Sequence, residues 1–455
     1  MQDAPKRQLS LFDSTCLIVG IIIGVGIFVM APDIAKGAYC WWGVLAIWVV
    51  GGPISLCGAL GYAELATAYP REGGDYVYLT RAYGRWAGFL FGWVQTAVVR
   101  PGDIAVMAFA FAMYGAKIHD PWPGITIAYG DLLSGAVGKP DPVPLSQLIY
   151  AAAAVLLLTG INIVGVRQGK WTQNVLTVLK ALGLLAIVGV AVASPQAAPS
   201  TQSVEPFPLS LALIFVLFAF GGWNEMVYVA AEVKNPRKNI IRALVVGTIA
   251  VTVLYLLVNG AFLHVLGYQG LATSEAVATD TVSVVFPEIG GRLISVLVCV
   301  SALGAVNGLI FTGARISYAV GADHRAFRLL GTWSGRTGTP VRALLAQGAL
   351  AVLLIFALGS FVDTIIYTAA AVYSFYMATS LAVIILRFRE PDVERPYRVF
   401  GYPFTTLGFM AVCGFLIYSA VTYKPSIALI AAAICLLGLP IYWLTTPRGA
   451  RPLEV

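Results

Sequence analysis

Long apolar runs separated by short polar clusters dominate this chain. The runs are about 20 residues long, which is roughly what an α-helix needs to cross the hydrocarbon core of a bilayer. With Gly, Pro and charged residues as boundaries, the pattern predicts an all-α integral membrane protein with twelve transmembrane helices, forming a single domain over residues 1–455. The predicted spans are 12–35, 42–67, 87–115, 145–166, 173–193, 208–231, 240–266, 292–321, 341–359, 361–387, 404–422 and 426–444.

Composition and charge support a membrane location. Hydrophobic residues make up 59% of the chain and charged residues 11%, which is too apolar for a soluble core. The formal net charge of +7 is not a nucleic-acid signal, because most Lys and Arg residues fall in the loops on the side of the two termini. Both termini are therefore expected in the cytoplasm, in a plasma-membrane protein whose basic loops contact anionic lipid headgroups.

Catalytic and metal-binding patterns are not evident. The three histidines, His119, His264 and His324, are far apart and lack an HExxH spacing. The six cysteines are scattered, with no CxxC pair and no disulfide framework. We therefore expect no cofactor, no metal and no enzymatic activity.

Two spans carry glycines at mid-depth. The first contains Gly20, Gly24 and Gly26, and the sixth contains the paired Gly221 and Gly222. Each glycine in a helix interior costs about 1 kcal/mol relative to alanine, so both spans are predicted to unwind there. Because the two broken helices lie five helices apart, they cross the membrane in opposite directions. This is the relation expected between the first helices of two inverted five-helix repeats. The repeats are predicted at about 12–193 and 208–387, with two extra helices over 404–444.

An interrupted helix in a membrane frees main-chain amides and carbonyls that must be satisfied away from lipid. Amides at a helix N-terminus suit a carboxylate, and carbonyls at a C-terminus suit an ammonium group. A zwitterionic amino acid matches both. The alternative is that these glycines only allow close helix packing, as small residues often do in membranes.

Six distinctive motifs occur along the chain. They are GIIIGVGIF (20–28), YAELATAYPREGGDYVYL (62–79), RPGD (100–103), FAFGGWNEMVYVAAEVKNPRKNIIRAL (218–244), SALGAVNGLIFTGARISYAV (301–320) and RFREPDVERPYRVFGYP (387–403). Together they resemble the amino acid-polyamine-organocation superfamily, most closely its L-type amino acid transporter branch. The resemblance implies a leucine-transporter-like fold with helices 1 and 6 unwound. It also implies secondary active transport of amino acids by alternating access, with the substrate between the two breaks.

The resemblance also implies which residues bind substrate. The carboxylate would meet amides around Gly24, Val25 and Gly26. The amino group would meet carbonyls near Ile21, Phe218 and Gly221. The family more often has a hydroxyl residue where this chain has Val25, so side-chain selectivity is not carried over.

The remaining expected site residues lie around the breaks. Family members place a helix 5 lysine where sodium-coupled relatives hold a sodium ion, and Lys180 matches that position. Arg100 and Asp103 stand at i and i+3 and are expected to pair, the alternative being a gate or a contact with a charged substrate. The expected gating and supporting residues are Arg100, Asp103, Trp223, Asn224, Glu225 and Asn307.

Neutral amino acids are the expected substrates, carried by exchange or proton coupling without sodium. The alternatives are a polyamine or cationic amino acid antiporter and an amino acid sensor that does not transport. Loop 116–144 has no cysteine, so the disulfide to a heavy chain seen in animal L-type transporters is not expected. A monomer or weak homo-oligomer is expected.

Overall fold

The computed structural model describes residues 6–127, 142–197, 203–204, 207–358, 361–423 and 425–445. The middle of loop 116–144 and both ends of the predicted 1–455 domain lie outside these ranges. The described chain is almost entirely helical, apart from the short antiparallel pair β1 (Thr126–Ile127) and β2 (Val143–Pro144).

Within these ranges, seventeen α-helices follow in chain order. They are α1 (Leu11–Ile22), α2 (Gly26–Val29), α3 (Ala31–Ala38), α4 (Trp41–Ala68), α5 (Asp75–Tyr83), α6 (Arg85–Val94), α7 (Arg100–Ile118), α8 (Leu145–Val164), α9 (Val166–Ala193), α10 (Leu209–Ala219), α11 (Pro236–Thr273), α12 (Val277–Ser283), α13 (Gly290–Asp323), α14 (Val341–Leu358), α15 (Phe361–Arg389), α16 (Phe404–Tyr423) and α17 (Pro425–Thr445). A π-helix covers Gln95–Val99, and 3-10 helices cover Trp223–Glu232 and Arg325–Phe327.

Nine helical segments within the described residues are long and apolar enough to cross a membrane. Three shorter apolar helices lie at Val341–Phe356, Phe404–Ser419 and Ala432–Thr445. The chain is therefore a multi-pass membrane protein.

Two of these segments are interrupted at the glycines that the sequence singles out. The first stops at Ile22 and resumes at Gly26, and the other stops at Ala219 and continues from Trp223 as a 3-10 helix. Gly222 adopts φ +103°, a conformation that glycine reaches without the strain of a side chain. The two interruptions lie side by side, because α1 packs on the 3-10 helix.

Two other segments differ from the sequence prediction. The third span, predicted as one helix over 87–115, contains a π-turn in which the Arg100 amide donates to the Gln95 carbonyl. Pro101 follows directly, and its missing N–H disrupts the regular ladder. The fifth helix begins at Val166 rather than near 173, so Lys180 lies near the middle of α9.

Several helix ends meet on one face of the bundle, which we call the N-terminal face. Leu9 forms a parallel bridge with Val233 there, and Asp13 pairs with Lys170 at 3.0 Å. Arg387, near the end of α15, pairs with Glu64 of α4. Interhelical ion pairs thus tie this face together.

Candidate functional site

A cavity of about 110 Å³ lies between the two breaks. A water molecule needs roughly 10–15 Å³ of such space, so the cavity accommodates a small organic molecule. α7, α13 and α15 complete its wall. Of the residues singled out from the sequence, those lining it are Ile21, Gly24, Gly26, Arg100, Asp103, Phe218, Gly221, Gly222, Asn224 and Glu225. Those outside the lining are Val25, Lys180, Trp223 and Asn307.

The first break presents free amide donors. The Gly24 amide is used within the break, since it donates to the Ile22 carbonyl at 2.7 Å. Among the described residues, the amides of Val25, Gly26 and Ile27 reach no carbonyl acceptor. The donors for an anion are therefore the amides that follow Gly24, at the start of α2.

The second break presents free acceptors. The Gly221 amide donates to the Phe218 carbonyl at 2.8 Å, which closes a tight turn at the end of α10. The carbonyls of Phe220 and Gly221 accept no hydrogen bond from the described residues, and the same holds for the Ile21 carbonyl at the end of α1. Carbonyls from both helices therefore remain available for a cation.

One tyrosine links the two breaks. The Tyr255 hydroxyl of α11 lies 2.8 Å from the Ile22 carbonyl and 3.2 Å from the Ala219 carbonyl. Ser301 of α13 donates to the carbonyls of Ile23 at 2.9 Å and Gly24 at 3.0 Å. These two hydroxyl groups satisfy main-chain acceptors that regular helices would have used.

Lys180 binds the main chain of the first break from outside the cavity lining. Its Nζ donates to the carbonyls of Gly20 at 2.7 Å, Ile23 at 2.8 Å and Ser301 at 2.9 Å. The side chain is completely buried. α9 and α13 are thereby tied to the interrupted segment through one ammonium group.

Arg100 pairs with Glu225, so the expected pairing of Arg100 with Asp103 is wrong. Arg100 Nη1 lies 2.7 Å from one Glu225 oxygen and 2.8 Å from the other, and Nε donates to Gln95 at 3.0 Å. Thr312 also donates to Glu225, at 2.6 Å. Glu225 comes from another helix and places both of its oxygens beside Arg100 Nη1, whereas the short Asp103 side chain on the same helix forms no ion pair with Arg100.

The other expected supporting residues contact neighbouring helices. Asn224 donates to the Tyr228 hydroxyl and accepts from the Tyr376 hydroxyl, both at 2.9 Å. Trp223 packs edge-on against Tyr62, with ring centroids 5.0 Å apart.

Asn307 lies away from the cavity. It donates to Gln173 at 2.9 Å and accepts from Asn162 at 2.8 Å, which links α13 to α9 and α8. Among the residues that the structure describes, no three His, Cys, Asp or Glu side chains are grouped as a metal site.

Five residues of this site are not evident from the sequence pattern. Each is a polar or hydroxyl-bearing side chain inside an apolar run, which is a weak signal because such residues often only pack. Their contacts appear only once the breaks are folded together. They are Gln95, Tyr228, Tyr255, Ser301 and Tyr376.

Comparison with known proteins identifies the family of this chain. A sequence model for the amino acid permease family matches residues 9–440. The chain is 31% identical to the b(0,+)-type amino acid transporter 1 of Mus musculus, covering 96% of this chain and 88% of that protein. It is also 31% identical to the large neutral amino acids transporter small subunit 2 of Rattus norvegicus, covering 97% and 81%. The chain therefore belongs to the amino acid permease family of the amino acid-polyamine-organocation superfamily and is a membrane transporter of amino acids.

Proposed function

We propose that this transporter exchanges neutral amino acids across the plasma membrane by alternating access, without sodium. The observation that carries the proposal is the pairing of free amides and free carbonyls across one cavity. The amides of Val25 and Gly26 suit the substrate carboxylate, and the carbonyls of Ile21 and Gly221 suit its ammonium group. Phe218, which is partly buried in the cavity wall, closes over the substrate.

Preference for neutral side chains rests on the rest of the lining. Beyond the two breaks, part of the wall is built from aliphatic residues of the π-helix, α7, α10, α13 and α15. An uncharged side chain is stabilised by burial against such a surface. The aliphatic residues are Val99, Val106, Ile214, Leu217, Leu309 and Val372.

Sodium independence rests on Lys180. Its ammonium group takes three carbonyl ligands, from Gly20, Ile23 and Ser301, which is the oxygen coordination that a monovalent cation would use. A fixed cation on the protein removes the need for a bound ion at that point. Lys180 therefore acts as the permanent occupant of an ion site.

The proposed architecture goes beyond the helices described above. Twelve spans form two inverted repeats of five, at about 12–193 and 208–387, followed by two extra helices, with both termini in the cytoplasm. The two breaks and the excess of Lys and Arg in alternate loops support this arrangement. Because loop 116–144 has no cysteine, we propose a subunit without a disulfide-linked heavy chain, working as a monomer or weak homo-oligomer.

Exchange in proteoliposomes tests the proposal. Uptake of labelled L-leucine should be accelerated by unlabelled leucine inside the vesicles and should not change when sodium is replaced by choline. Equal uptake into empty and loaded vesicles contradicts exchange. A strict requirement for sodium contradicts the role of Lys180.

A glycine substitution tests the location of the site. In Gly24→Ala, the new methyl group would lie 3.5 Å from Met107 on the cavity wall, so it fills substrate space without a clash in the core. The half-saturation concentration for leucine should rise roughly tenfold or more, as expected when a contact to a charged group is lost. Gly160→Ala, where the methyl group meets nothing within 4 Å, is the control and should transport like the wild type. Unchanged leucine affinity in Gly24→Ala contradicts the site.

A further inference from the structure

Three ionisable side chains from different elements meet at the N-terminal face. Glu232 ends the second interrupted segment, and its carbonyl accepts from the Leu9 amide at 2.9 Å. Arg315 of α13 donates from Nε to Glu232 Oε1 at 2.7 Å, and both side chains are fully buried. Glu72 lies between α4 and α5, close enough to both for their charges to act on its carboxyl group. The cluster therefore holds two carboxyl groups and one guanidinium group.

Two glycines place Glu72 in this position. Gly73 and Gly74 follow it with positive φ values of +95° and +47°. A Cβ atom on Gly73 would lie 2.8 Å from Ala319 of α13, and one on Gly74 would lie 2.6 Å from Val227 of the second interrupted segment. The chain here is wedged between these two elements. A movement that separates them therefore exposes the Glu72 carboxyl group.

Charge and hydrogen bonding both favour a proton in this cluster. Arg315 pairs with Glu232, so the fully ionised cluster would carry a net negative charge. Among the described residues, Glu72 Oε1, Glu232 Oε2 and Arg315 Nη2 are buried and have no hydrogen-bond partner. Two carboxyl oxygens without donors in a region of low dielectric favour protonation of one of them. Tyr318 of α13 also faces Glu72, and a phenol is neutral at physiological pH.

The acidity of Glu72 follows from the same surroundings. Burial raises the pKa of its carboxyl group from 4.5 to about 8, repulsion by Glu232 adds to the increase, and Arg315 opposes it. Exposure to solvent returns the pKa towards 4.5. Between these two values, the closed face holds a proton that an open face releases.

We infer that Glu72 is a proton-binding site that controls the N-terminal face: the protonated side chain favours the closed face, and opening releases the proton to the solution on that side. A lower pH then favours the state in which the cavity opens to the opposite face. The inference rests on the proposed function, because it assumes that the N-terminal face opens during alternating access.

Leucine exchange from each side of the membrane tests the inference. Right-side-out and inverted membrane vesicles present one or the other face to the medium, and equal pH on both sides removes any proton gradient. A state that is less populated binds substrate with a lower apparent affinity. As pH falls from about 8 to 6, the half-saturation concentration for leucine at the N-terminal face should rise relative to that at the opposite face, by up to about tenfold per pH unit.

Substitutions identify the group that titrates. In Glu72→Gln, which has no carboxyl proton to lose, the ratio of the two half-saturation concentrations should stay within about twofold across this range and match the wild-type ratio at about pH 6. Glu72→Ala removes the titrating group and should also give a ratio that is independent of pH. Glu394→Gln is the matched control, because it changes an exposed carboxylate that pairs with Arg237, and it should keep the wild-type pH dependence.

The outcomes separate the inference from the proposed function. A wild-type ratio that does not change with pH contradicts the inference, and so does wild-type pH dependence in Glu72→Gln or Glu72→Ala; either variant alone decides if the other does not fold. A joint rise of both half-saturation concentrations also contradicts it, because closing one face affects the two sides in opposite directions. Absence of leucine exchange at every pH contradicts the proposed function instead.

Discussion

Lys180, Ser301 and Tyr255 supply the hydrogen bonds that water would supply to interrupted helices in solution. All three donate to main-chain carbonyls of the breaks, so each polar side chain has a defined partner in a region without solvent. The contacts come from α9, α13 and α11, which surround α1. At this scale the breaks are stabilised by single side chains, and each can be tested by substitution.

Lys180→Met should destabilise the protein and abolish exchange. Methionine keeps the stem but cannot donate, so the buried Gly20 carbonyl at the end of α1 loses its donor, at a cost of about 1–3 kcal/mol. Thermal unfolding in detergent and leucine exchange in proteoliposomes measure the two effects. Lys117→Met, which removes a lysine stacked 4.7 Å over the Tyr114 ring, is the control and should leave exchange intact. Wild-type unfolding and exchange in Lys180→Met would refute the role assigned to this side chain.

At the scale of elements, the sequence predicts a helix interruption well where glycine alone determines it. The interruptions at Gly24 and Gly221 follow from helix propensity, which is a local property. The π-turn before Arg100 is not predicted from the sequence, and the Arg100 side chain that follows it pairs with Glu225, 125 residues further along the chain. The pairing of Arg100 was mispredicted because sequence spacing identifies neighbours on one helix but not the competing partner on another.

Gly222 lies where the two interrupted elements are in close contact. A Cβ atom there would lie 2.5 Å from Ile21 Cγ2, and its φ of +103° is unfavourable for other residues. Gly222→Ala should therefore cost about 1–3 kcal/mol and weaken leucine binding by separating the breaks.

Thermal unfolding with and without leucine measures both effects of Gly222→Ala. Gly260→Ala, in the interior of α11 with nothing within 4 Å of the added methyl group, is the control. It should be neutral or slightly stabilising. A Gly222→Ala protein as stable as Gly260→Ala would show that the close approach is not required.

On the scale of the whole molecule, buried polar contacts hold the N-terminal face together. Glu232 pairs with Arg315 at 2.7 Å, joining the end of the second interrupted segment to α13. The Asp75 carboxylate accepts from three hydroxyl groups on different helices. The donors are Tyr62, Tyr228 and Thr379. Alternating access, as proposed, requires this face to open, so its stability bears on the transport cycle.

Glu72 makes the stability of this face depend on pH. It precedes α5 in the segment between two spans, and its buried Oε1 has no hydrogen-bond partner among the described residues. Burial raises the pKa of the Glu72 carboxyl from 4.5 to about 8; repulsion by Glu232 adds to this increase, and Arg315 opposes it. Between these two values the native protein holds a proton that the unfolded chain releases, so Glu72 lowers stability progressively as pH rises through that window.

Glu72→Gln should therefore gain thermal stability relative to the wild type as pH rises from about 5 to 8, with little difference near pH 5. The reason is that glutamine has no carboxyl proton to lose, so the folded variant avoids the charge that the buried wild-type side chain must acquire. Unfolding temperatures of the purified proteins in detergent across this range measure the divergence. Glu275→Gln, which changes an exposed carboxylate ahead of α12, is the control and should give a curve parallel to the wild type. If the Glu72→Gln curve is also parallel, protonation of Glu72 does not control the stability of the N-terminal face.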